Sequence, residues 1–559
     1  MQRIDPQDPR TALYAYLNGR TAACDVDNVA LVYPFGCNAS QKLAVQRALG
    51  NRVSVVEGPP GTGKTQTILN IVANLLMQGK TVGVVSNNNA AVDNVRDKLS
   101  KYEYGALMAE LGNRTRRQAF FADKQQDFMP DPTWRLPAEE RTALRTRLGE
   151  LSAAIDELFR VNAELADLRT KRSYAQCEYR HLLWEQPLDE ARMRRIDRCF
   201  FRPIDSRRAL SFRHLVTERW QGGRPSLALR AGLLFRCGAW PGKRLFADAE
   251  LLPAYADRKF YETYIAELSA RIARLGAPSD EQRAKSLIEA YGKVSEALFR
   301  DMLYRKYERL NEARQEERPP FTMQNYRTHF RTFVERYPVV LSTTHSLCAS
   351  IGAGHLLDYV IIDESSQVDI LTAAVCCACC RNIIIIGDSR QLPHIVEEQL
   401  RAKAEELRDK HRVPDAYDYV RQNILSSFKR VFGERLPVTL LREHYRCHPL
   451  IIDFCNRKYY RNELLIMTEP KGDYPFTVLT TTASKTYSHN GRIYNQRQID
   501  ATCDWIERQH TEYAAMRFAS DAKRESPAER IAERLIGGIL AEEDRFSAIG
   551  VHRHYRLYD

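Results

Sequence analysis

Eight consecutive residues, Gly58-Pro59-Pro60-Gly61-Thr62-Gly63-Lys64-Thr65, carry the densest chemical information in this 559-residue chain. They fit the pattern G-x-x-x-x-G-K-[ST], in which glycines let backbone N–H groups turn toward phosphates and the following helix points its positive N-terminus at them. Lys64 would reach the β- and γ-phosphates of a nucleotide, and Thr65 would offer its hydroxyl to Mg²⁺. A second constellation lies some 300 residues on, where Tyr359-Val360-Ile361-Ile362 runs into Asp363-Glu364. Asp363 would hold the metal through its water shell, and Glu364 would orient or deprotonate the attacking water. An apolar run ending in Asp-Glu is common at strand ends. Paired with a phosphate loop, it implies nucleotide hydrolysis.

The flanking elements have the periods such a site needs. Val53–Val56 reads as a strand into the loop, Thr65–Met77 as an amphipathic helix out of it, and Thr81–Val85 as the next strand, a βαβ signature of a parallel sheet. From Lys101 to Tyr337 the chain is charged and helical. Strand-like runs return at Val339–Leu341, Tyr359–Ile362, Ile383–Ile386 and Val438–Leu441. A sheet domain is thus interrupted by a long insertion. Two heptad seams lie within it: Leu144, Leu148, Leu151, Ile155, Leu158, Asn162 and Leu165, then Tyr261, Ile265, Leu268, Ile272 and Leu275. They predict an antiparallel coiled-coil stalk, with two unrelated core helices as the alternative.

Between the seams lies nearly all of the chain's net charge of +12. Residues 191–245 hold 14 Arg or Lys against 3 Asp or Glu, with Phe200, Phe201, Phe212, Trp220, Phe235 and Trp240 interleaved. Arginine mixed with aromatics is the composition of a surface that follows phosphates and stacks bases. The alternative is a solvated helical face neutralised by acidic neighbours elsewhere in the fold.

Further motifs identify the kind of protein. Asp363-Glu364-Ser365-Ser366-Gln367 and Gly387-Asp388-Ser389-Arg390-Gln391-Leu392-Pro393 resemble motifs II and III of superfamily 1B helicases, the group holding the nonsense-mediated-decay helicase and the DNA-replication nuclease-helicase. Asn38-Ala39-Ser40-Gln41 resembles that family's Q motif, Ser86 to Asp93 motif Ia, Ser342-Thr343-Thr344 motif Ic, and Tyr445-Arg446-Cys447-His448-Pro449 motif IV. The resemblance spans residues 37 to 465 in family order. It implies an α/β P-loop NTPase fold with RecA-like lobes and a helical stalk in the first, using ATP and Mg²⁺ to move along single-stranded DNA or RNA. By the same resemblance Gln41 reads adenine, Tyr445 packs on the adenine side, Gln391 senses the γ-phosphate, and Arg446 reaches it from across the cleft. Ser86, Asn87, Thr343 and Thr344 contact the nucleic-acid backbone. The expected domains are an N-terminal segment (1–36), a first lobe from 37–100 and 337–395, the insertion (101–336), and a partial second lobe (396–559).

The end of the chain departs from the family. Gly491, Gly537, Gly538 and Gly550 are not followed by the Gln-Gly of motif V, and no motif VI arginine is found. Ser547 to Arg556 resembles the strand just before motif V. The reading is an incomplete second lobe, with weak turnover; a module that binds nucleotide and nucleic acid without efficient hydrolysis is the alternative. The longest uncharged apolar stretch, Ile370 to Cys380, is far short of the roughly 20 residues of a membrane helix. Thirteen cysteines, four of them in Cys376, Cys377, Cys379 and Cys380, form no disulfide framework, and a reduced cytoplasmic protein is expected. Adjacent helical cysteines diverge, so this group reads as small hydrophobes rather than a zinc site.

Overall fold

The strand-like runs singled out above lie in one seven-stranded, all-parallel sheet. Its strands are β1 (Val53–Glu57), β2 (Val82–Ser86), β3 (Met108–Glu110), β4 (Val339–Thr343), β5 (Leu357–Asp363), β6 (Cys380–Gly387) and β7 (Val438–Leu440), in the order β3-β4-β2-β5-β6-β1-β7. The computed structural model describes residues 4–24, 30–122, 128–185, 189–220, 224–275, 278–312 and 321–469. Beyond these it describes 482, 487–489, 492–495, 497–498, 500–501 and 504–505.

The sheet is buried on both faces, which is why its strands read as unbroken apolar runs rather than alternating ones. Successive side chains still alternate. Ile384 and Ile386 enter one core with α1 (Ala39–Gly50) and α2 (Lys64–Met77). Ile383 and Ile385 enter the other, with Phe330 and Phe333 from the stretch before β4. Ala12, Leu13, Ala15 and Tyr16 join that second core, so residues within 1–36 are built into the sheet domain.

The insertion is dominated by α3 (Ala138–Glu185), 48 residues long and therefore about 70 Å. The sequence pairs its seam with the Tyr261–Leu275 seam; the structure divides it between two partners. Leu148, Leu151 and Ile155 pack with Leu298, Phe299 and Leu303 of α5 (Pro278–Glu312), in the sheet domain's core. Farther along, α4 (Leu252–Leu275) takes over as partner. Arg271 reaches Glu164 at 2.5 Å and Tyr179 bonds Glu262 at 2.9 Å, so the two helices run antiparallel. The seam divides because α3 is twice as long as α4. Residues 193–256 form a separate small core around Phe212, Leu233 and Tyr255.

The expected boundary at residue 395 does not coincide with the end of the sheet. β7 pairs with β1, Val55 opposite Val438 and Glu57 opposite Leu440. Helix α6 (Ile424–Phe432) buries Ile424, Leu425, Phe428 and Phe432 in the second core. β1 would otherwise be an edge, and capping it with β7 removes that edge. After it, β8 (Glu443–His444) and β9 (Leu465–Ile466) form a separate parallel pair. Residues 471–559 are a distinct unit, in which Tyr487–His489 and Arg492–Tyr494 form an antiparallel pair.

Candidate nucleotide site and nucleic-acid edge

All the strands run the same way, so their C-terminal ends share one edge of the sheet. Register places Ser86 opposite both Thr343 and Asp363, and Glu57 opposite Gly387. Residues scattered over 300 positions of sequence thus meet along a single line, where open α/β sheets bind ligands.

The phosphate loop leaves β1 at this edge, with the Gly58 N–H donating to the Gly387 carbonyl at 3.1 Å. Gly61 (φ 92°) and Gly63 (φ 83°) adopt left-handed conformations, and Gly63 caps α2. A Cβ on Gly61 would lie 2.6 Å from the Arg446 Cβ, so only glycine lets that residue come so close. Thr62 is buried, its hydroxyl donating to the Pro59 carbonyl at 2.8 Å. The free N–H groups that open α2 point where an anion would sit. The Lys64 ammonium donates to the Gly58 carbonyl at 3.1 Å and lies 3.8 Å from the Glu364 carboxylate. Thr65 follows it in the first turn of α2.

Asp363 closes β5 and is buried, one carboxylate oxygen accepting from the Glu364 N–H at 2.9 Å. Burial first, and then the Glu364 charge, push its pKa up to about 6, against the pull of Lys64. Glu364 is a non-glycine residue at φ 49°, ψ 41°, a conformation costing about 1–2 kcal/mol. Its Oε2 is buried without a hydrogen-bond partner among the described residues. Backbone strain and an unsatisfied buried carboxylate oxygen coincide at this residue. These carboxylates suit a hard dication. Mg²⁺ is commonly held by one or two carboxylates together with substrate phosphates and water, rather than by an all-protein cage.

Gln41 is buried beneath the loop. Asn38 caps α1 and Gln41 completes a capping box, while its amide donates to the Thr62 and Gly63 carbonyls at 3.2 and 3.3 Å. The Q-motif resemblance thus coincides with a helix start braced against the phosphate loop. Opposite it, the Tyr445 N–H donates to the Gly61 carbonyl at 3.1 Å, and the buried His444 ring donates to the Pro60 carbonyl at 3.1 Å. The Tyr445 side chain is half exposed and that of Arg446 exposed, beside the loop. Gln391 sits just past Gly387-Asp388, its N–H donating to the Asp388 carbonyl at 3.1 Å.

Sequence reasoning missed three supports. Lys429 bonds Glu57 at 2.5 Å, and Glu57 accepts from the Ser389 N–H at 3.2 Å, tying α6 to both the strand before the loop and the motif III turn. Tyr460 donates to Asp388 at 2.7 Å. His444 is the third. Each contact joins residues far apart in the chain, and no local pattern announces it.

The expected backbone contacts divide by burial. Asn87 is exposed and Thr343 partly so, but Ser86 and Thr344 are fully buried. Each of those two ends or follows a strand whose alternation turns its side chain inward. Their hydroxyls do not face solvent in this structure, unlike the side chain of Asn87.

Residues 36–399 match the family described as AAA domain. The chain belongs to this family, and to the superfamily 1B helicases. DNA polymerase alpha-associated DNA helicase A of Schizosaccharomyces pombe is 39% identical over 133 residues, 23% of this chain and 20% of that protein. An uncharacterized ATP-dependent helicase of Mycoplasma genitalium is 22% identical over 550 residues, 82% of this chain and 48% of its own length. A regulator of nonsense transcripts 1 homolog of Neurospora crassa is 32% identical over 129 residues, 22% of this chain and 11% of that protein. The chain spans about half or less of the length of these relatives. The late glycines and Ser547 to Arg556 lie outside the described residues. Cys376, Cys377, Cys379 and Cys380 are buried, and among the described residues no group of three or more His, Cys, Asp or Glu could hold a metal. No described helix is long and apolar enough to cross a membrane.

Proposed function

We propose that this chain is an ATP-driven translocase of single-stranded nucleic acid, DNA or RNA. The observation that carries the reading is the Lys64 ammonium, held between the Gly58 carbonyl and Glu364 at the head of α2. That arrangement sets a cation for the β- and γ-phosphates beside the carboxylate that would handle the attacking water.

ATP would lie with its phosphates on residues 58–65. Thr65 and Asp363 would hold Mg²⁺, which supplies charge neutralisation on the phosphate oxygens when bound. Glu364 orients a water and accepts its proton as the water oxygen bonds to the γ-phosphorus. The bond from that phosphorus to the β-bridging oxygen breaks, and ADP leaves with the electron pair. Gln391 senses the γ-phosphate and Arg446 balances its charge, while Gln41 and Tyr445 border the adenine. Asn87 and Thr343, on the same sheet edge, grip the strand backbone. Motor closure would then move the strand.

Residues 37–100 and 337–441 serve as the first RecA-like lobe, with residues 101–336 as its stalk insertion. The cysteine spacing, with no disulfide framework in it, fits a reducing, cytoplasmic compartment.

The test is ATP hydrolysis with and without single-stranded DNA or RNA, against a Lys64→Ala control. Strand stimulation that disappears in the control supports the reading. Binding of both nucleotide and strand without stimulation overturns it in favour of a binding module.

A further inference from the structure

Folding sorts the aromatics of residues 191–245 into two groups. Phe212 is buried, and Phe200 packs on Phe212 and Tyr255 at 5.2 and 5.9 Å. Phe201 and Trp240 are 55% and 66% exposed. Phe235 is exposed as well, and exposed rings this large are a cost unless something covers them.

A short antiparallel contact sets their positions. Phe200 pairs with Ala239, the Phe201 N–H donates to the Gly238 carbonyl at 2.9 Å, and the Trp240 N–H donates to the Cys199 carbonyl at 2.7 Å. Phe200 packs against the module's core, and its exposed part meets Phe201 and Trp240 at one surface. Phe201 and Trp240 each follow one partner of this bridge, Phe200 and Ala239, by a single residue. Gly238, opposite Phe201, has a φ of 69°, and the Arg202 side chain packs over it, where an added Cβ would lie 2.8 Å from the Arg202 Cβ. Phe201 and Trp240 line a groove of about 360 Å³ together with Arg198, Cys199 and the edge of Phe200. Bases along a strand rise about 3.4 Å each, so a base between two rings needs about 7 Å.

The charge around this groove is only partly neutralised. Arg192 and Arg195 pair with Asp248, and Arg213 pairs with Asp257. Arg198, Arg202, Arg236 and Arg244 are exposed and make no ion pair among the described residues. Arg202 lies over the Phe201 ring, 5.7 Å from its centroid.

We propose that the helical insertion ends in a base-stacking clamp: Phe201 and Trp240 hold one unpaired base of a single strand, and Arg198, Arg202, Arg236 and Arg244 take the neighbouring phosphates. The clamp rests on the strand-binding function proposed above and adds a second grip, separate from the sheet edge. Aromatic stacking tolerates any base, so the clamp holds the strand without selecting its sequence.

The test is equilibrium binding of fluorescently labelled oligo-dT and oligo-U to the full chain, followed by anisotropy. Phe201→Ala and Trp240→Ala should each weaken binding about tenfold. Trp240→Phe should restore most of the affinity and Trp240→Leu should not, because leucine is apolar but cannot stack. That pair also separates lost stacking from misfolding. A strand carrying abasic sites should bind the wild type more weakly, and Trp240→Ala should lose little more on it. Wild-type affinity in both alanine variants overturns the clamp, and the exposed rings would then serve some other partner. Strand-stimulated hydrolysis in the wild type, measured separately, shows whether the motor reading survives that result. A wild-type chain that binds no strand and shows no stimulation overturns both.

Discussion

The Lys64 Nζ lies 3.8 Å from Glu364 Oε1, while its hydrogen bond goes to the Gly58 carbonyl at 3.1 Å. A bound γ-phosphate would come between the two groups, drawn by the cation, with the carboxylate on the side of the attacking water. Glu364→Gln should therefore keep nucleotide binding and lose hydrolysis by a factor of about 10²–10⁴. Lys64→Ala should lose both. Fluorescent-nucleotide binding measured beside single-turnover hydrolysis separates the two variants, and equal loss of binding in both would refute the assignment.

Gly61 has no room for a side chain. Its φ of 92° strains any other residue, and a Cβ would lie 2.6 Å from the Arg446 Cβ and 2.9 Å from His444 Nε2. Gly61→Ala should push the 444–446 segment off the loop. With about 1–2 kcal/mol of backbone strain added, nucleotide affinity should fall about tenfold or more, as read by calorimetric titration with a non-hydrolysable ATP analogue. Unchanged affinity would mean that the segment does not brace the loop.

His444 titrates below its ordinary value of 6.5, chiefly because it is buried and secondarily because Arg446 repels its charge. Below about pH 6.5 the unfolded chain takes up the proton more readily than the folded one, so stability is complete above that pH and declines as pH falls through it. Melting temperature followed from about pH 8 to about pH 5 should show a shallower acid decline in His444→Gln than in the wild type. Parallel curves would refute the linkage.

Asn87 and Thr344 should behave oppositely although both belong to strand-contact motifs. Asn87 is exposed, its amide donating to the Gln367 carbonyl at 3.3 Å. Asn87→Ala should weaken strand binding about threefold to tenfold. Thr344 is buried, and its hydroxyl has no partner among the described residues. Thr344→Val keeps its shape and removes an unsatisfied group, so stability should hold or rise and strand affinity should stay. Weaker strand binding in Thr344→Val would mean that the β4 turn opens to expose the hydroxyl.

The nucleotide chemistry is legible in the sequence because it depends on local geometry. Gly61, Gly63, Lys64 and Thr65 act through consecutive backbone turns and one helix start, and Asp363 and Glu364 through the end of one strand. Spacing records such features directly. The parallel sheet is legible for the same reason, since burial on both faces leaves runs such as Ile383–Ile386. Tertiary structure decided whatever depends on a partner remote in the chain. It put β7 beside β1, past the expected boundary, because pairing depends on which edge is open. It split the α3 seam between α5 and α4, because heptads show that a helix has an apolar stripe without saying what covers it. It turned Ser86 and Thr344 inward, linked Lys429 to Glu57, and left Phe201 and Trp240 exposed while burying Phe212. Composition alone could not make that last division: a buried and an exposed aromatic are the same residue until the chain folds around one of them.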